Sequence, residues 1–149
     1  MVSVTATRDE YRAFQAITTR WLDNDAYGHV NNAVSYSWFD TAVNALLVER
    51  CGLDIAAGAL IGLVVESGCR YERAVAFPQI VEAGVRIAHL GTSSIRWDVA
   101  IFTTGHDLAA AAGFLVHVCV DRATRRPAPL PADWRAALAG LVVPVPPSA

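Results

Sequence analysis

Residues from about Val30 to Arg50 read as one long helix with almost no polar side. Placed at 100° per residue, Val34, Trp38, Thr41, Ala45 and Val48 fall on one side. Tyr36, Phe39, Val43, Leu46 and Leu47 cover much of the opposite side, and only a strip of Ser37, Asp40 and Asn44 is polar. A helix this apolar has to be covered nearly all round. In a chain of 149 residues, the length of a single domain, either a sheet wraps it or subunits cover it.

The remainder of the chain supplies strands. Phe14 to Arg20 is rich in strand formers and ends at Asp23, Asn24, Asp25 and Gly28, which are loop and helix-cap residues. Beyond the glycine-rich stretch Gly52 to Gly62 the pattern turns to period two, with segments near Leu63–Arg73, Ile80–Leu90, Ser94–Thr104 and Leu108–Asp121. In the third of these, Ile95, Trp97, Val99 and Ile101 face one way while Ser94, Arg96 and Asp98 face the other, the mark of a half-buried antiparallel strand. Gly91-Thr92-Ser93 and Gly105-His106-Asp107 are short enough for hairpin turns, so the last three strands form a meander. Strand, long helix, then four strands excludes an alternating parallel nucleotide-binding sheet. A short helix near Ala132 to Ala139 and a loose Ala/Pro-rich tail from about residue 140 complete one domain spanning 1–149.

Composition narrows the function. Apolar residues at 54% against 17% charged exclude a disordered chain. The basic residues are all arginine, 12 of them against 14 acidic residues, and a net charge of −2 offers no basic field for nucleic acid. Cys51, Cys69 and Cys119 have no metal-ligand spacing, and Met1 to Glu10 lacks a signal peptide's apolar core, so a reducing cytoplasm is expected. The longest apolar run, Ile55 to Val65, has 11 residues, short of the ~20 that span a bilayer. No membrane partner is expected.

Several chemistries drop out. Gly91-Thr92-Ser93-Ser94-Ile95 lacks the second glycine of a serine-hydrolase elbow. No Rossmann or phosphate-loop glycine pattern occurs, and the absence of lysine removes Schiff-base chemistry. His29, His89, His106 and His117 are scattered without zinc spacing, and His117 reads as a core or interface residue. Asp23 to Gly28 imitates the start of a calcium loop, but its twelfth position is Val34 rather than glutamate. No metal is expected.

The polar concentration lies at the start of the apolar helix, in Arg20-Trp21-Leu22-Asp23-Asn24-Asp25-Ala26-Tyr27-Gly28-His29-Val30-Asn31-Asn32. One Asp or Asn there is explained as a cap worth ~1 kcal/mol; two aspartates, a histidine and two asparagines exceed what one cap requires. A carboxylate beside unsatisfied helix N–H groups can attack, or activate water, while those donors hold an oxyanion. Acyl transfer needs no more than that, and a thioester is reactive enough to be its substrate.

The run Asp-x-Asp-x-x-Gly-His-Val-Asn-Asn, followed by Tyr36 and the pair Phe39-Asp40, resembles the hot-dog fold acyl-CoA thioesterases of the 4-hydroxybenzoyl-CoA thioesterase type. It looks more distantly like plant acyl-carrier-protein thioesterases. The resemblance continues through Arg70-Tyr71-Glu72-Arg73, the His89 to Ser94 turn and Val118-Cys119-Val120-Asp121, covering roughly Phe14 to Pro131. It implies an α+β hot-dog fold, one long central helix wrapped by a five-stranded antiparallel sheet, and hydrolysis of acyl-CoA to free acid and CoA. The catalytic aspartate falls on Asp25, with Asp23 in a supporting position. Gly28 and His29, or more loosely Gly68 of a partner subunit, would give backbone donors, and Asn32 would line the site. Asp40 stands where such enzymes read a substrate hydroxyl, and equally reads as a polar helix position at a subunit contact. Tyr36, Trp38 and Phe39 are candidate pocket walls. Gly91, Thr92, Ser93 and Ser94 with Arg125 or Arg126 are candidates for coenzyme A, which is part of the substrate, so no cofactor is expected. Ala109 to Gly113 either leaves room for a bulky acyl group or allows close packing.

Two alternatives stand beside hydrolysis: an acyl-CoA- or acyl-carrier-binding hot-dog protein without chemistry, and a hot-dog hydratase or dehydratase using His29. A homo-oligomer is expected, a dimer with shared sites or a dimer of dimers, because a sheet around one helix leaves edges that this composition cannot cover with polar groups.

Overall fold

The computed structural model describes residues 5–143. Strand β1 (Ala13–Thr18) is followed by helix α1 (Asn32–Cys51), then by β2 (Leu60–Tyr71), β3 (Ile80–Leu90), β4 (Ser94–Thr103), β5 (Ala111–Asp121) and the short helix α2 (Ala132–Leu138). The five strands form one antiparallel sheet in the order β1-β3-β4-β5-β2. This is the hot-dog arrangement, and β3-β4-β5 is the expected meander. The order leaves β1 and β2 as edges, and β2 bulges between Val64 and Glu66.

Helix α1 begins two residues later than its apolar pattern suggests, because Asn31 caps it: Oδ1 accepts the Ala33 N–H at 2.9 Å. Gly52, left-handed at φ 64°, ends it. Ser35, Trp38, Phe39, Ala42, Val43, Leu46 and Leu47 form its buried face. They pack on Val81, Ala83, Val85 and Ile87 of β3 and on Ile95, Trp97, Val99 and Ile101 of β4. The expectation of burial all round is not met within one protomer: Ala33, Ser37, Asp40, Thr41 and Val48 stay exposed, since a sheet with β2 at its margin covers one side of α1 only.

Gly113 answers the question posed by the small-residue stretch. A Cβ there would stand 2.6 Å from a ring carbon of Phe39 and would also collide with the Gly68 carbonyl of β2, so glycine is needed for helix and strand to approach. Ala111, by contrast, borders open space.

The outer face of the sheet is partly covered by the chain preceding β1. Tyr11 packs with Ala100, Phe102 and Ala109, and the Arg8 guanidinium lies 4.9 Å from the Phe102 ring while pairing with Glu82 at 2.9 Å. Of the tail, Leu141 is buried and the Val143 N–H donates to Ile87 O at 2.8 Å; residues 144–149 lie outside the described residues.

Candidate active site

Between β1 and α1 the chain folds back on itself. Asn24 and Val30 pair as an antiparallel bridge, the Asp25 N–H donates to His29 O at 2.9 Å, and the Gly28 N–H donates to Asp25 O at 3.0 Å. Gly28 has φ 82°, a conformation an L side chain resists, which is why the turn carries glycine here. The loop is fastened to the segment joining β2 and β3: Val30 N–H to Val75 O at 2.7 Å, and Phe77 N–H to Asn24 Oδ1 at 3.0 Å.

The two aspartates have different surroundings. The Asp23 side chain is fully buried, receives Arg20 Nε and Nη2 at 3.0 and 2.8 Å on Oδ1, and takes the Arg20 N–H at 2.7 Å on Oδ2. Its charge is neutralised and its oxygens are committed. The half-buried Asp25 accepts the Tyr27 N–H at 2.9 Å on Oδ1 and faces Asn31 Nδ2 at 3.5 Å, the long limit of a hydrogen bond, on Oδ2. Both partners are neutral, and no cation is paired with this carboxylate among the described residues.

Beside the loop lies a cleft of about 300 Å³. Trp38, Val75, Ile101 and Ala111 make its apolar floor; His29, Asn32, Ser35, Tyr71 and Arg73 give polar groups around it. The Tyr71 hydroxyl donates to Asn32 O at 2.8 Å, joining the end of β2 to the first turn of α1. Burial, with a hydrogen bond to Cys69, pushes the Tyr71 phenol pKa up, so it stays a donor. Arg73 donates to Thr103 Oγ1 at 2.8 Å and to Leu108 O at 3.4 Å, which ties the β2–β3 segment to the β4–β5 hairpin.

Asp25, Gly28 and His29 share one turn, and of the residues the motif implies, His29 and Asn32 line the cleft. The Gly28 N–H is spent on Asp25 O; among the described residues the His29 amide has no protein acceptor, and it borders the cleft. Trp38 is a wall, whereas Phe39 is a fully buried core residue and the half-buried Tyr36 meets it edge-on, ring centres 6.0 Å apart. Asp40 is exposed on α1, and Gly68 sits in β2 opposite Phe114. Gly91 to Ser93 join β3 to Ser94 at the start of β4, and Arg125 and Arg126 follow β5: Cys119 N–H of β5 donates to Ser93 O at 2.7 Å, and Leu130 N–H, after the arginines, donates to Thr92 O at 2.8 Å. Both turns lie at the opposite end of β3 from the Asp25 loop, which is tied to Val75 and Phe77 just before that strand.

Asn31 and Tyr71 are site residues that pattern reading passes over. The signal for Asn31 was its position one residue before the helix, where a capping side chain also has an amide to spare. Tyr71 has no comparable local signal, because its partner is 39 residues away.

An antiparallel sheet of this order, a single long helix and an acidic loop at the helix start define a class of acyl-processing folds. Residues 19–138 match the Thioesterase-like superfamily, and the chain belongs to that family. Among solved structures it is similar to the PA5185 protein of Pseudomonas aeruginosa, with 52% identity, 93% of this chain and 97% of that chain covered, and a TM-score of 0.91. The PA2801 protein of the same organism is 31% identical over 83% of this chain and 95% of its own, TM-score 0.78. A 1,4-dihydroxy-2-naphthoyl-CoA thioesterase from Synechocystis shares the fold at 18% identity, 85% and 94% coverage and TM-score 0.76. No curated protein matches the chain. Family membership supports thioester hydrolysis as the reaction class.

Proposed function

We propose that this protein hydrolyses acyl-CoA thioesters to the free acid and CoA, with Asp25 as nucleophile or general base. The observation that carries the reading is the Asp25 carboxylate, which accepts the Tyr27 N–H and faces Asn31 Nδ2 in the same loop whose His29 and Val30 line an apolar cleft. The His29 amide and the Asn32 side chain are the donors for the developing oxyanion. At the ~30 Å³ that one water occupies in the liquid, the cleft takes an acyl group of roughly ten non-hydrogen atoms. Medium-chain and single-ring aromatic acyl groups have that size.

The CoA portion is assigned to Gly91–Ser94 and Arg125 or Arg126 of a second copy. Strand β2 is an unpaired edge with Leu63, Val64 and Val65 exposed, and antiparallel pairing of two such edges sets the Tyr71 end of one beside the Leu60 end of the other. The distant turns of one protomer then flank Asp25 of its partner. The assembly is a dimer with two shared sites, or a pair of such dimers. No cofactor takes part, and the free thiols of Cys51, Cys69 and Cys119 fit a reducing cytoplasm. Among the described residues no helix is long and apolar enough to cross a membrane.

A panel of acetyl-, hexanoyl-, benzoyl- and palmitoyl-CoA, followed by release of free thiol, tests the reaction. Hydrolysis peaking at hexanoyl or benzoyl is expected; absence of turnover on every member would overturn it.

A further inference from the structure

Ser35 lines the cleft beside the Asp25 loop and is only 6% exposed, yet its hydroxyl has no protein hydrogen-bond partner among the described residues. A short polar side chain inside a helix ordinarily bonds back to the carbonyl one turn earlier. Thr41 and Asn44 of α1 do so, to Ser37 O and Asp40 O at 2.9 Å each. Ser35 makes no such bond. Alanine, the better helix former, would fill the position without leaving a buried hydroxyl unpaired, so the fold alone does not account for a serine there.

Its neighbours along α1 show what it faces. Asn32, Ser35 and Trp38 follow one another at a spacing of three and all line the same cleft of about 300 Å³. Each step is about 4.5 Å along the helix axis. Asn32 is exposed at the mouth, whereas Ser35 and Trp38 are buried beside the apolar floor of Val75, Ile101 and Ala111. The stripe presents an amide, then a lone hydroxyl, then an indole. Tyr71 and Arg73 also border the cleft, but the Tyr71 hydroxyl donates to Asn32 O, and the Arg73 guanidinium to Thr103 Oγ1 and Leu108 O. The Ser35 hydroxyl is left to whatever enters the cleft.

We propose that Ser35 determines acyl specificity: the acyl-CoA this cleft takes is a 3-hydroxyacyl-CoA, whose hydroxyl pairs with Ser35 Oγ. The inference rests on the hydrolytic reading above, with the thioester carbonyl held at the His29 amide and the Asn32 side chain. From there an acyl chain laid along the stripe brings its third carbon level with Ser35, about one helical turn in, and carries its far end to Trp38. Water entering the cleft of the free protein satisfies the Ser35 hydroxyl. An unsubstituted chain displaces that water and sets methylene groups against an unpaired oxygen. A hydroxyl on the third carbon restores the bond, because it donates or accepts whichever way the serine proton points.

The test on the whole protein compares hexanoyl-CoA with each enantiomer of 3-hydroxyhexanoyl-CoA and with 6-hydroxyhexanoyl-CoA. Thiol release gives kcat/KM, and calorimetry gives Kd for the same acyl groups joined to CoA through a non-hydrolysable methylene ketone link. One 3-hydroxy enantiomer is expected to exceed hexanoyl by about tenfold or more in both measurements, since a hydrogen bond built for a substrate hydroxyl penalises the analogue that lacks it. The 6-hydroxy compound should fall below hexanoyl, because its hydroxyl lies beyond Ser35 against the apolar end of the cleft. Ser35→Ala should bring the ratio of 3-hydroxyhexanoyl to hexanoyl to about one, with thermal melting showing the fold retained. A preference in Kd without turnover of any thioester would keep the Ser35 site and overturn hydrolysis. Equal Kd values for the 3-hydroxy and unsubstituted groups would overturn the site whether or not thiol is released, as would an equal gain from the 6-hydroxy compound or a preference that survives Ser35→Ala.

Discussion

The side chain of Asn31 spans from Asp25 to α1: Nδ2 faces Asp25 Oδ2 at 3.5 Å while Oδ1 accepts the Ala33 N–H at 2.9 Å. The group that starts the helix is thus the group that faces the Asp25 carboxylate.

Asp25→Asn is expected to reduce kcat by about two to four orders of magnitude with KM nearly unchanged, since the amide keeps the shape and loses the reactive oxygen. Asp23→Asn should instead act on stability, by about 1–3 kcal/mol, because its buried carboxylate holds both the Arg20 guanidinium and the Arg20 N–H. Steady-state kinetics beside thermal melting separates the two. Exchanged effects would move the catalytic role to Asp23.

Under the proposed function, the cleft floor sets acyl size. Ala111 is 4% exposed and pairs with Ile101 on the floor. Ala111→Leu should lower kcat/KM for hexanoyl-CoA about tenfold relative to acetyl-CoA, as added methylenes take the space of the acyl chain. An unchanged ratio would place the acyl group elsewhere.

Gly113→Ala should destabilise the fold by about 1–3 kcal/mol, because the new methyl overlaps Phe39 and the Gly68 carbonyl, neither of which has room to retreat. Denaturant midpoints measure it. A neutral effect would mean that α1 and β2 are more loosely packed than their geometry.

Stability should depend on pH through His117. Burial, partly opposed by the Asp40 carboxylate, holds its folded pKa below the ordinary 6.5, so its neutral form is favoured in the fold. The stability this represents is complete above about pH 6.5 and is lost as pH falls toward the folded value, where the unfolded chain binds the proton first. His117→Phe should flatten the melting temperature between pH 7 and 5.5. Tyr11 acts at the other limit: its phenol is pushed up to about 12 by burial, against the Arg86 guanidinium, so stability is lost as pH rises from 10 to 12. Tyr11→Phe should remove that alkaline step.

Periodicity was enough to read the element order, the meander and the placement of Ile95, Trp97, Val99 and Ile101, because alternation along a strand is a local property. The capping chemistry of residues 23–32 was equally local, and so was the concentration of the candidate site there. Where local signals stop, so did the reading. Nothing along the chain distinguishes Ala111 beside a cleft from Gly113 under Phe39, or Trp38 as a wall from Phe39 as core, since these differ only in what lies across from them. The Tyr71–Asn32 bond and the space that Gly62 leaves before His117 are of the same kind, each depending on two distant segments brought together by the sheet order. Sequence by itself determined which strands exist and where the polar residues of the candidate site are concentrated. Tertiary structure alone decided which side of α1 is covered, where cavities remain and which polar atoms are left unpaired, because those are set by packing between elements and not by the run of residues within one.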